Sequence, residues 1–175
     1  MTIRNIRLAT ILTGLYALAL LTNNAWAEIL AAQTYTSPIV YGGASYYVDF
    51  NGAAAGGQII NFKTAAPNTR VAFTFNAECA VGNDSFHYLD IDIMVDPSGP
   101  AGETAAAPSN SDNAFCSGND TPSDFLYASG DGWVSAATQA TMVIPTAGDH
   151  TIRVRVNGSA SGVVRLDDMS LIVWR

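Results

Sequence analysis

The residue types best suited to chemistry gather between positions 112 and 133. Tyr127 and Trp133 carry flat aromatic faces that can stack on the C–H faces of sugar rings. Asp120 and Asp124, close by, can accept hydrogen bonds from sugar hydroxyls and so fix a ring's orientation. Phe115 and Phe125 lie in the same stretch and are expected to fold inward over one end of a core. Asp112, Asp120 and Asp124, with Asn113 and Asn119, also make a candidate calcium set, because calcium takes about six to eight oxygen ligands. Their spacing is not that of an EF-hand, and solvated acids on a loop remain the alternative. Three further acids, Asp90, Asp92 and Asp96, alternate along one segment and are expected to keep the outer face of a strand wet.

No catalytic residue is assigned. GxSxG, HExxH and a lysine-bearing phosphate loop are all absent from the sequence. His87 and His150 are isolated, and two histidines do not make a zinc site; each is read as a surface or strand-end residue. Paired carboxylates can hydrolyse glycosides, but fifteen Asp and Glu supply many chance pairs.

The N-terminus reads as an export signal. Arg4 and Arg7 precede an uncharged run from Leu8 to Leu21, followed by Ala25-Trp26-Ala27 with small residues at the −3 and −1 positions. The run is too short to span a hydrocarbon core of roughly 30 Å, so cleavage after Ala27 is expected, with residues 28–175 forming one domain. The mature protein is expected in the periplasm or outside the cell, without insertion in a membrane. That destination is oxidising and gives Cys79 and Cys116, the two cysteines, a partner in each other.

The net charge is −7, and loss of Arg4 and Arg7 with the leader makes it two units more negative. So acidic a surface, with Lys63 its one lysine, repels phosphate backbones and excludes nucleic acid as a natural partner. Apolar residues make up 49% and charged residues 13%, which is too hydrophobic for a disordered chain.

The elements that must position these groups are strands. Val71, Phe73 and Phe75 alternate with Ala72, Thr74 and Asn76. Leu89, Ile91, Ile93 and Val95 form one face of a second segment, and Ile152, Val154 and Val156 one face of a third. Period-two alternation of this kind marks half-buried strands. Further strands are expected at 46–50, 58–63, 138–144 and 163–174, the last with a bulge at Asp167-Asp168. Pro145 to Gly148 and Asn157-Gly158 read as turns, and no stretch of the mature chain sustains a helical stripe. Pro97 to Gly132 breaks the rhythm as a long loop, with a short strand expected near 114–116. Together these features predict an all-β fold, an antiparallel β-sandwich of jelly-roll type.

The C-terminal segment, GDHTIRVRVNG followed by VVRLDDMSLIVW, resembles the closing strands of secreted jelly-roll domains, including galactose-binding-like carbohydrate-binding modules. The resemblance covers Gly148 to Trp174. It implies a β-sandwich that binds a ligand and transfers no ligand residue, since binding loops vary freely in such modules. The expected function is non-enzymatic binding of an envelope or environmental glycan through Tyr127, Trp133, Asp120 and Asp124. A self-associating surface or matrix subunit is the alternative, and a carboxylate- or metal-dependent hydrolase the third.

Overall fold

A computed structural model describes residues 27–42, 45–51, 58–82, 87–96, 102–109, 115–118, 133–158 and 163–175. They form eleven strands: β1 (Ile29–Tyr35), β2 (Ile39–Gly42), β3 (Ser45–Tyr47), β4 (Ile60–Thr64), β5 (Thr69–Gly82), β6 (His87–Asp96), β7 (Thr104–Ala105), β8 (Cys116–Gly118), β9 (Val134–Ile144), β10 (Gly148–Gly158) and β11 (Val163–Trp174). No helix occurs among the described residues, so none there is long and apolar enough to cross a membrane.

Two antiparallel sheets share these strands. The first runs β1-β11-β5-β9, with β2 beside β1 on the same edge of β11. The second runs β3-β10-β6-β7, with β4 sharing β10's edge with β3, and β8 sharing β6's edge with β7. The chain passes from β1 and β2 in the first sheet to β3 and β4 in the second. It then enters the first for β5, the second for β6 to β8, the first for β9, the second for β10 and the first for β11. That alternation between facing sheets is the jelly-roll path the sequence predicts.

Alternation decides what fills the space between the sheets. Val71, Phe73, Phe75 and Ala77 point inward from β5, and Leu89, Ile91, Ile93 and Val95 from β6. Ile152, Val154 and Val156 complete the layer from β10. Phe75 meets Phe50 edge-on, with ring centres 6.3 Å apart, and Phe115 at 5.6 Å, so Phe115 does fold inward. Cys79 shares the inward parity of β5 and is bonded to Cys116 at the start of β8, with Cα atoms 6.6 Å apart. The disulfide thus ties the two sheets together through the core.

Of the two expected turns, one is present and the other is not. The link at 145–147 is a turn, and Gly148 opens β10 with a φ of 125°, a conformation that suits glycine. Asn157-Gly158, in contrast, continues β10, where Asn157 pairs with Asp90 across the sheet. Strand pairing on both sides outweighs the local turn preference of the dipeptide. The long loop expected at 97–132 contains β7, and β8 begins at Cys116, close to the strand expected at 114–116. β1 and β2 were not expected from the sequence; β1 is an edge strand of mixed burial, with no sustained apolar alternation to announce it.

The bulge at Asp167-Asp168 has consequences for everything after it. Pairing of β11 with β5 shifts between Asp167 and Ser170, and Asp168 takes a left-handed φ of 44°. Val164 and Leu166 point inward before the bulge, and Met169, Leu171 and Val173 after it. The extra residue therefore turns Trp174 from the core to the outer face.

Candidate functional site

The outer faces of the two sheets have different chemistry. On the second sheet, β6 presents Asp90, Asp92 and Asp96, and β10 sets Asn157 opposite Asp90, Arg155 opposite Asp92 and Thr151 opposite Asp96, with Arg153 opposite Met94 between them. The three aspartates are not wet. None is more than 4% exposed, which corrects the expectation of a solvated strand face. Asp92 Oδ2 accepts from Arg155 Nη2 at 2.6 Å and from Asn157 Nδ2 at 2.7 Å. These partners lie more than sixty residues away in the chain, so the local pattern identified the face but not what neutralises it.

Next to them Glu103 receives both Nε and Nη2 of Arg153, the first at 2.6 Å, and the hydroxyl of Tyr47 at 3.2 Å. The Arg153 guanidinium also lies 3.8 Å from the centre of the Tyr47 ring. Hydrogen bonds from Arg153 hold the Glu103 carboxyl below the ordinary glutamate value, against the opposing effect of its burial. Each acid that bonds a cation here is already used in the fold. Among the described residues no group of three His, Cys, Asp or Glu side chains converges as a metal site.

His150 also departs from expectation. It is 4% exposed, with Nε2 3.0 Å from Thr64 Oγ1 and 3.2 Å from the carbonyl of Thr146, and its ring packs 5.4 Å from that of Phe62. It shares the parity of Ile152, Val154 and Val156, which was the available signal that it points inward.

The outer face of the first sheet is open and mostly uncharged. β5 turns Ala72, Thr74 and Asn76 outward, and β9 sets Thr141, Gln139 and Ala137 opposite them in register. Trp174 pairs with Ala72 from the other side, and its indole Nε1 donates to Thr74 Oγ1 at 3.5 Å. The indole is 38% exposed. Ala107 exchanges backbone hydrogen bonds with Thr141 and brings Pro108 to the rim. These groups enclose an open groove of about 320 Å³ walled by Trp174 and Pro108 and floored by Ala72 and Thr74, with Gln139 and Thr141 along one side. An exposed indole beside amide and hydroxyl groups can stack on a sugar ring and hydrogen-bond its hydroxyls.

Of the residues predicted from sequence to bind a ligand, Trp133 is on this same face. It immediately precedes β9, half-buried, with the Arg165 guanidinium 4.9 Å from its ring centre. Tyr127, Asp120 and Asp124, and Asp112 of the candidate calcium set, lie outside the described residues. Trp174, Thr74, Gln139 and Thr141 were missed. Trp174 was missed because simple alternation from Val164 places it inward, and only the bulge reverses that.

Fold and face together define an all-β jelly-roll sandwich with an aromatic-walled groove on one sheet. No family model matches the sequence, and no curated protein matches it. Among solved structures, the chain is similar to a chain in the structure of infectious bursal disease virus Gt strain, with 13% identity and a TM-score of 0.41 over 86% of this chain and 32% of that one. It is also similar to the CBM22-1–GH10 modules of Clostridium thermocellum endo-1,4-beta-D-xylanase 10B complexed with xylohexaose, with 8% identity and a TM-score of 0.38 over 82% and 28% of the two chains. The CBM22-1 xylan-binding domain of Paenibacillus barcinonensis Xyn10C gives 12% identity and a TM-score of 0.38 over 84% and 95%. The chain spans less than a third of the length of the viral and xylanase chains.

Proposed function

We propose that this protein is an exported glycan-binding domain that binds without turnover, using the outer face of its first sheet. The observation that carries the reading is Trp174: an exposed indole held over a groove whose other polar groups are uncharged hydroxyls and amides. A ligand with C–H faces and hydroxyls matches both halves of the groove, its apolar indole and its polar floor and side. Export rests on the sequence of residues 1–27 alone, read as a leader. Glu28 exchanges backbone hydrogen bonds with Arg175 and binds its guanidinium, so the residue after the expected cleavage is paired with the C-terminal one.

A glycan array on residues 28–175, run with calcium and again with chelator, tests the reading. Binding to one or more glycans in both conditions is expected, since the groove contains no carboxylate. Binding that vanishes with chelator transfers the site to Asp112, Asp120 and Asp124. A blank array in both conditions overturns the reading. The variant Trp133→Ala with Tyr127→Ala tests the loop aromatics separately from Trp174.

One observation favours a second reading, self-association. β9 is an edge strand of eleven residues with no charge and no proline, covered at Thr141 by the Ala107 bridge, and edges are commonly protected by a charge or a proline. A dimer in sedimentation velocity that a lysine at the outward-facing Gln139 dissolves would support it.

A further inference from the structure

A second groove of about 370 Å³ lies on the same sheet face, lined by Asn76, Glu78, Ser135, Ala137 and Asp168 among others. It is in line with the Trp174 groove. The first lies over Ala72 and Thr74 of β5, and the second over Asn76 and Glu78, the next two outward residues of the same strand. β9 repeats the order, with Thr141 and Gln139 beside the first groove and Ala137 and Ser135 beside the second. At about 3.4 Å per residue, Ala72 to Glu78 spans about 20 Å.

We infer that the two grooves are one trough, and that it takes a linear, uncharged polysaccharide lying along β5. The inference rests on the glycan reading of Trp174 and adds the shape and charge of the ligand. Shape follows from collinearity: two grooves end to end along one strand fit several sugar rings joined in a chain, whereas a single terminal sugar fills one. Asn76 and Gln139 set a carboxamide on each side of the trough's middle, each carrying donor and acceptor groups for ring hydroxyls. Asn76 Nδ2 donates to Ser170 Oγ at 3.2 Å, which fixes the amide's orientation before a ligand arrives.

Charge follows from the far end. The bulge lifts Asp168, exposed and at positive φ, to the trough's end, where Glu78 lies on β5. Two carboxylates there, on a chain of net charge −7, repel uronic acids and sulfated sugars. The lining of the Trp174 groove carries no charged side chain, and Arg70, the next outward residue of β5, lies outside that lining.

The test is titration calorimetry with cello-, manno- and galacto-oligosaccharides from disaccharide to hexasaccharide, and with oligogalacturonates as the carboxylated counterpart of the last series. In at least one neutral series, affinity rises by about tenfold or more from the shortest to the longest member. The oligogalacturonates bind at least about tenfold more weakly than galacto-oligosaccharides of equal length. Ala137→Arg, an exposed change in the second groove, brings hexasaccharide affinity down to that of the disaccharide while the melting temperature holds. Binding that depends on Trp174 but is flat in chain length, or is indifferent to Ala137→Arg, overturns the trough and leaves the glycan reading standing. Oligogalacturonates binding as well as the neutral series overturns the charge assignment. Failure of every neutral series to bind overturns the glycan reading itself, and the trough with it.

Discussion

Replacing Glu103 with Gln keeps the side chain's shape and removes its charge. The wild-type carboxylate receives two bonds from one guanidinium and one from the Tyr47 hydroxyl. The Arg153 and Glu103 side chains are 23% and 14% exposed, so solvent screens the pair only in part. Hydrogen bonds to charged groups contribute about 1.5–3 kcal/mol against about 0.5–1.5 for neutral ones, and Gln retains one acceptor. The expected loss at neutral pH is therefore about 1–2 kcal/mol, which lowers the melting temperature by roughly 2–8 °C in a domain of this size. The sign of the pH dependence follows from the direction of the shift. Glu103's folded value lies below the ordinary 4.5, so its stabilisation is complete above that pH and is lost as pH falls through the folded value. Glu103→Gln has no such loss. Urea unfolding at neutral pH and in acid should show the two proteins converging as pH falls below 4.5. Equal stability at neutral pH, or a gap that persists undiminished in acid, would refute the assignment of this pair as a charge-dependent tie between β10 and the segment before β7.

Three other outcomes are expected. Reduction of Cys79–Cys116 removes a cross-link between residues 37 apart and destabilises the domain by about 4 kcal/mol in the chain-entropy model, read as a drop in the urea midpoint with dithiothreitol. Phe75→Ala opens a cavity where Phe50 and Phe115 meet and costs about 3–5 kcal/mol, measured by equilibrium unfolding. Intact mass of protein recovered after export should place the N-terminus at Glu28; a mass retaining Ala27 or the leader would contradict cleavage there.

The jelly-roll class was legible because period-two alternation is a local signal, and β5, β6 and β10 display it over long runs. The disulfide was legible for a similar reason, since Cys79 sits at the inward parity of β5 and has one partner available. The outer faces were harder to read. Whether Asp90, Asp92 and Asp96 face water depends on what neutralises and covers them, and Arg155 and Asn157 reach Asp92 from a strand far along the chain. Trp174 was hidden by one residue. The Asp167-Asp168 bulge was visible, but its effect is to exchange inside and outside for every position beyond it. Pairing between strands also placed Asn157-Gly158 in β10, where local propensity alone favoured a turn.

The central claim is that Trp174 forms the binding platform, and the most direct measurement is the affinity of Trp174→Ala and Trp174→Phe for a glycan that the wild type binds. Removing a central aromatic anchor should weaken binding by on the order of 2 kcal/mol, about thirtyfold. Phenylalanine should restore part of that loss, because it keeps a stacking face while losing the indole bond to Thr74. Unchanged affinity in Trp174→Ala, with a melting temperature equal to that of the wild type, would contradict the account.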